Sequence, residues 1–171
     1  ETELKRRRDL TLGQMKTLEK HWKARTLSRQ YKRKYYQTFI LSVMLSNSET
    51  WAIQEHHMTT LRDLYHSTAR KAFGERKKEI AEGVYEQPEA FLKRKRLPPL
   101  INLLTKKQAV WLAHAKRSND TFTLNEFEEA EKQQDEWWLS LVRNLEEFNV
   151  TPQWVFDNAH KPSQIKNVFV P

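Results

Sequence analysis

The first proline in this 171-residue chain is Pro88, and its three glycines, Gly13, Gly74 and Gly83, all lie before it. An average chain of this length would carry roughly 12 glycines. Tight β-turns depend on glycine and proline for their backbone angles, so the first half of the chain has few places where a sheet could reverse. Helical spacing fills that stretch instead. Leu12, Met15, Leu18 and Trp22 step by three and four residues and predict one helix face, with Lys16, Lys20 and Lys23 turned away.

A second helix is expected over residues 29–45, passing from a basic first half into the apolar run 39–45. That run has no helical periodicity, which predicts burial on all sides. Ser46, Asn47 and Ser48 break the pattern and offer capping side chains. Met58, Leu61, Leu64, Tyr65, Ala69 and Phe73 then trace a third apolar stripe that ends at Gly74, a helix-terminating residue. Residues 75–87 read as a charged connector. Pro88 suits the first turn of a short helix carrying Phe91 and Leu92, and Leu97-Pro98-Pro99 stops it.

The next helix presents Leu100, Leu103, Leu104, Val110, Trp111 and His114, with Lys106 and Lys107 outward. Thr123-x-x-Glu126 reads as a capping box for one long acidic helix whose apolar face is Phe127, Ala130, Trp138, Leu141, Val142 and Leu145. Thr151-Pro152 starts a last short helix. The expectation is an all-α fold: a bundle of about six to seven helices over residues 1–160, with an irregular tail over 161–171. Trp51 and Trp111 are expected in its core, and His114 as a hydrogen-bonded core histidine.

The net charge of +8 is unevenly spread. Residues 1–35 hold 12 basic and 4 acidic groups, residues 91–119 hold 8 basic groups and no acid, and residues 120–150 hold 2 and 9. Three clusters stand out: Arg6, Arg7 and Arg8; Lys32, Arg33 and Lys34; and Lys93, Arg94, Lys95 and Arg96, with Lys106 and Lys107 further on. A single basic cluster is commonly a solvated helix face. Several in one small chain point to a polyanion, and these residues are the candidate nucleic-acid contacts. Trp22, Tyr31, Tyr35 and Tyr36 interleave with the cations and have the chemistry to stack on unpaired bases, although their helical spacing favours the core for most of them.

The sequence lacks several chemistries outright. With no cysteine there is no disulfide framework, thiolate metal site or cysteine nucleophile. Its five aspartates, Asp9, Asp63, Asp120, Asp135 and Asp157, are scattered singly, whereas two-metal nucleotidyl chemistry needs clustered carboxylates. No glycine-rich phosphate loop, G-x-S-x-G elbow or H-E-x-x-H pair occurs. His56 and His57 are adjacent and diverge by about 100° on a helix, a poor chelate. No catalytic residue, metal or cofactor is expected. The run 39–45 is far shorter than the roughly 20 apolar residues that a bilayer requires, so no membrane span is expected. The start at Glu1 instead of Met suggests a processed chain or a piece of a longer one.

At Ser48-Glu49-Thr50-Trp51-Ala52, just after the apolar run, the sequence resembles the region beyond the polymerase palm in reverse transcriptases of non-LTR retrotransposons, where a pattern like LLYGSETWAL is common. Met58, Leu61 and Tyr65 match the helix that follows, and residues 70–74 resemble its RRILG end. Leu97-Pro98-Pro99-Leu100 with Trp111-Leu112-Ala113-His114 is similar to LPPL and RWLGH. Trp138-Leu139, Leu145 and residues 154–159 match spaced positions of the terminal helices, so the resemblance spans about residues 10–160. Three departures stand beside it. Asn47 and Ala113 replace family glycines, and an acidic segment around 126–136 replaces the usual GRP stretch.

The resemblance implies a helical thumb and linker that grips a template–product duplex and does not catalyse, since palm, endonuclease and cysteine-rich knuckle are not among the matched motifs. The expected function is a non-catalytic RNA-binding and structural protein in a ribonucleoprotein such as an organellar ribosome. Its RNA would be structured or single-stranded with little sequence preference, and its protein partners would be subunits of the same assembly. A scaffold subunit working without nucleic acid, or the thumb of an active reverse transcriptase, are the alternatives. An organelle matrix such as the mitochondrion suits a captured subunit, and the nucleus an intact retroelement protein.

Overall fold

A computed structural model describes residues 2–170, and most of them are helical, as the scarcity of turn residues predicts. The helices are more numerous than six to seven, and they form two compact units. One contains the residues up to 46 together with 55–99, and the other contains 47–54 together with the residues from 100 onward. The helical region read over 1–160 is divided between them. No helix among the described residues is long and apolar enough to cross a membrane.

The first unit opens with α1 (Thr2–Thr17) and α2 (Glu19–Lys23), separated at Leu18. The buried stripe is Arg7, Thr11, Met15 and Trp22, while Leu12, placed on that face by its spacing, is exposed. Thr11 can be buried because its hydroxyl donates to the Arg7 carbonyl at 2.6 Å, so no polar atom of its side chain is stranded. Ser28 caps α3 (Arg29–Tyr35), accepting from the Tyr31 N–H, and the helical path continues through a π-helical turn, Tyr36–Leu41, into α4 (Ser42–Met44). The run 39–45 is therefore not buried on all sides. Ile40, Leu41, Met44 and Leu45 are buried, whereas Phe39 and Ser42 face solvent.

The α5 helix (Glu55–Phe73) buries Met58, Leu61, Leu64, Tyr65, Thr68, Ala69 and Ala72. The Tyr36 hydroxyl donates to the Tyr65 carbonyl at 3.1 Å and lies 2.8 Å from Thr68 Oγ1, and the Tyr65 hydroxyl donates to the Pro98 carbonyl at 2.8 Å. At the end of α5 Gly74 has φ 66°; its N–H reaches the Lys71 carbonyl and the Glu75 N–H reaches that of Arg70. These two bonds satisfy carbonyls that the helix end would otherwise orphan. Residues 75–87 hold a small antiparallel hairpin, β1 (Glu79–Ala81) and β2 (Val84–Tyr85), which the glycine count argued against. One glycine suffices: Gly83 takes φ 69° and its N–H donates to the Glu79 carboxylate. The α6 helix (Pro88–Lys95) starts on its proline as expected and buries Phe91 and Leu92.

The second unit is built on α7 (Leu100–Ser118), with α8 (Thr121–Gln133), α9 (Glu136–Glu146), α10 (Pro152–Asp157) and α11 (Pro162–Val168). Residues 47–54 join it through a 3₁₀ turn, Ser48–Thr50, entered by Asn47 at φ 58°. The buried line of α7 includes Leu100, Leu104, Gln108, Leu112 and Ala115, so Trp111 lies partly exposed and His114 exposed; Trp51 is also partly exposed. The long acidic helix is two helices. Gln134 adopts φ 53° and closes α8, and Asp135 caps α9 by accepting from the Trp138 N–H at 2.7 Å. The α8 cap is Asp120, which takes both the N–H and the hydroxyl of Thr123, so Thr123 is not the capping residue. Thr151 caps α10 as predicted. Within the tail, α11 buries Ile165, Phe169 just beyond it is buried as well, and Asn102 Nδ2 donates to the Phe169 carbonyl at 3.3 Å.

Candidate nucleic-acid interface

The structure sorts the candidate cations by what already holds them. Arg7 is buried and pairs with Glu3 at 2.6 Å, while Arg6 and Arg8 stay exposed, Arg6 with a loose 3.5 Å contact to the same carboxylate. Lys32 donates to the Trp22 carbonyl at 2.7 Å. Arg33 is half-buried and Lys34 exposed.

The tetrad on α6 is divided more sharply. Arg94 reaches Glu75 at 2.7 Å and Glu86 at 2.9 Å, and Lys95 is bonded to Glu75 with its side chain 2% exposed. Lys95 is therefore not available to a phosphate, which corrects the expectation from sequence. A buried ammonium is tolerated here because a carboxylate sits on it and the Phe73 ring lies 5.3 Å from its nitrogen. Arg70 adds a third cation, 3.5 Å from Glu86 and over the Phe91 ring. This cluster connects α5, the hairpin segment and α6; it is a structural core of charge. Lys93 and Arg96 remain exposed.

Lys106 and Lys107 are half-buried and belong to the second unit, Lys107 with Glu49 at 3.4 Å. The exposed candidate cations not held close by a carboxylate are thus Arg6, Arg8, Lys34, Lys93 and Arg96, all in the first unit; Arg94 is exposed too but is paired with Glu75 and Glu86. That unit carries 22 of the 30 Lys and Arg residues and 11 of the 22 acids, a net +11; the second unit carries 8 and 11, a net −3.

The four interleaved aromatics separate in the same way. Trp22 and Tyr36 are core, as the helical spacing favoured, but Tyr31 is 59% exposed and Tyr35 only half-buried. Two residues that the sequence pattern does not single out join them. The exposed His21 stacks on Tyr35 with ring centroids 5.4 Å apart and planes at 25°, and Phe39, 41% exposed, also lies 5.4 Å from Tyr35. A signal for Phe39 is present in the spacing, since Tyr31, Tyr35 and Phe39 recur every four residues. It is masked because Phe39 sits in an apolar run that reads as core.

Among the described residues no group of three or more His, Asp or Glu side chains is placed to share a metal ion. The His56 and His57 rings do not diverge but lie 3.8 Å apart, tilted by 46°. No protein-family model matches the chain, no curated protein is similar to it, and no solved structure matches its fold. The reverse-transcriptase resemblance rests on the sequence motifs alone.

Proposed function

We propose that this chain is a non-catalytic RNA-binding and structural protein, related to the thumb of non-LTR reverse transcriptases and working inside a larger ribonucleoprotein such as an organellar ribosome. The observation that carries the reading is the partition of charge. A net +11 in one unit of fewer than 100 residues concentrates an attractive field for phosphates on a single body. Counterion release from those phosphates makes binding steeply dependent on salt and largely indifferent to sequence.

The test is a salt titration of binding to a labelled RNA oligomer, with the full chain and a variant carrying Arg6→Gln, Arg8→Gln, Lys34→Gln, Lys93→Gln and Arg96→Gln. Log affinity falls linearly with log salt, and the variant flattens the slope by about 0.7 for each single-strand phosphate that is no longer neutralised. An unchanged slope would overturn the reading.

A second reading, a scaffold subunit that binds protein only, is favoured by α8. There Phe122 is 73% exposed on a helix whose Glu126, Glu128, Glu129 and Glu131 face solvent. It predicts that the five-residue variant still assembles normally and that binding to RNA is weak at physiological salt.

A further inference from the structure

We propose that the row formed by His21, Tyr31, Tyr35 and Phe39 is a stacking platform for unpaired RNA bases, so that the first unit prefers single strands to duplex. The inference rests on the RNA-binding reading and adds a site and a ligand class to it.

The row is a product of backbone geometry. Four residues along an α-helix overshoot a full turn, so a line of side chains spaced by four drifts around the axis. From Tyr31 to Tyr35 that drift operates; from Tyr35 to Phe39 the chain is π-helical, and its wider turns, closed from i to i+5, reverse it. Phe39 is thereby kept beside Tyr35 at the surface while Tyr36, Ile40 and Leu41 turn to the core. The same turn leaves the Phe39 ring 41% exposed, with Tyr35 as its aromatic neighbour. Such π-helical turns occur frequently at functional sites.

Charge complementarity selects the occupant. Residues 16–35 hold eight Lys and Arg against one acid, Glu19, and that carboxylate is already paired with Lys23 at 2.8 Å. Lys32 donates to the Trp22 carbonyl, next to His21 in sequence, and the exposed Lys34 lies between Tyr31 and Tyr35 in sequence. Solvent-accessible rings in a segment rich in cations, whose single acid is paired, suit a strand that offers base faces and phosphates together. A duplex offers only phosphates, because its bases are already stacked on each other. An acidic peptide would use the cations and leave the rings unused.

The experiment measures fluorescence anisotropy with the full chain, using a single-stranded RNA and a duplex RNA of equal phosphate number. A 2-aminopurine in the single strand reports base stacking through its emission. The unaltered chain is expected to bind the single strand more tightly and to change the 2-aminopurine emission. Tyr35→Ala is expected to weaken the single strand roughly 5- to 150-fold, the range for removing one base–aromatic stack, and to leave the duplex within about twofold. The salt slope stays the same, since every phosphate-neutralising cation is kept. Tyr35→Trp restores the single-strand preference. Tyr31→Ala, at a position already exposed, provides a variant whose folding is not at issue and shifts the same ratio in the same direction. Equal weakening for single strand and duplex, or a preference unmoved in both alanine variants, overturns the platform while leaving the RNA-binding reading in place. Absence of salt-dependent RNA binding by the unaltered chain overturns both. A dimer that Tyr31→Ala abolishes with RNA affinity unchanged assigns the row to a second copy of this chain and also overturns the proposal.

Discussion

The Lys95 ammonium is bonded to the Glu75 carboxylate, although Lys95 belongs to the most basic tetrad in the sequence. With the lysine side chain 2% exposed and the Phe73 and Phe91 rings beside it, this pair is part of how α6 is held. Removing one partner strands the other. Glu75→Ala is expected to destabilise the chain by about 3 kcal/mol, the low end for a broken buried pair because Glu75 keeps some contact with water. Lys95→Met, which leaves Glu75 paired with Arg94 and partly in water, is expected to cost less than Glu75→Ala. Urea unfolding of the two variants checks both, and equal destabilisation would refute the assignment.

The same cluster contributes to the acid sensitivity of the fold. Burial raises the Glu75 carboxyl, but the hydrogen bonds from Lys95 and Arg94 outweigh it and hold the group below the usual carboxylate range. Arg94 likewise lowers Glu86. Groups with depressed folded-state values contribute stability that is present above the unfolded carboxylate value, about 4.3, and lost as the pH falls through the folded values. The contribution of these two carboxylates is expected to be complete above about pH 5 and to decline below it. Glu75→Gln is expected to show a shallower decline than the unaltered chain in the same denaturant series.

At the alkaline end the limit is set by Tyr36 and Tyr65, both of which burial raises above the ordinary phenol value. The unfolded chain ionises these phenols near pH 10 while the folded chain keeps them protonated. Their contribution is therefore complete below pH 10 and lost above it. Tyr36→Phe, which deletes the hydroxyl that meets Thr68 and the Tyr65 carbonyl, is expected to cost about 1 kcal/mol at pH 7. It should also unfold less steeply with pH between about pH 10 and 12. Thermal melts over that range provide the measurement.

Gln134 holds φ 53° and closes α8, a backbone region that costs a side-chain-bearing residue about 1–2 kcal/mol in a helix. Gln134→Gly is expected to stabilise the chain by about 0.5–1 kcal/mol, less than the full figure because glycine loses more entropy on folding and the glutamine side chain bonds the Glu131 carbonyl. A higher melting temperature for the variant is the expected outcome.

The α8 carboxylates belong to the unit that does not carry the positive charge. Replacing Glu128, Glu129 and Glu131 by Gln is expected to leave RNA affinity the same or tighter, by anisotropy at fixed salt. A marked weakening would assign this helix to the interface.

The amino-acid sequence by itself determined the helical class, because it has so few of the glycines and prolines that the tight turns of a sheet need, and it determined the stops that rely on one residue. Gly74, Pro88 and the Thr151-Pro152 pair act through their own backbone chemistry, so they are legible one at a time. The break between α8 and α9 was not, because Gln134 takes the left-handed region without being a glycine. Burial followed the same division. Tyr36 and Phe39 are both aromatic and three residues apart, and only the π-helical turn sends one to the core and the other to water. The basic clusters were visible as composition, but which cations are held in ion pairs depended on carboxylates outside the clusters. Glu75 and Glu86 reach Arg94 and Lys95 only after α5 and α6 are brought together, so no local pattern distinguishes them from Lys93 and Arg96.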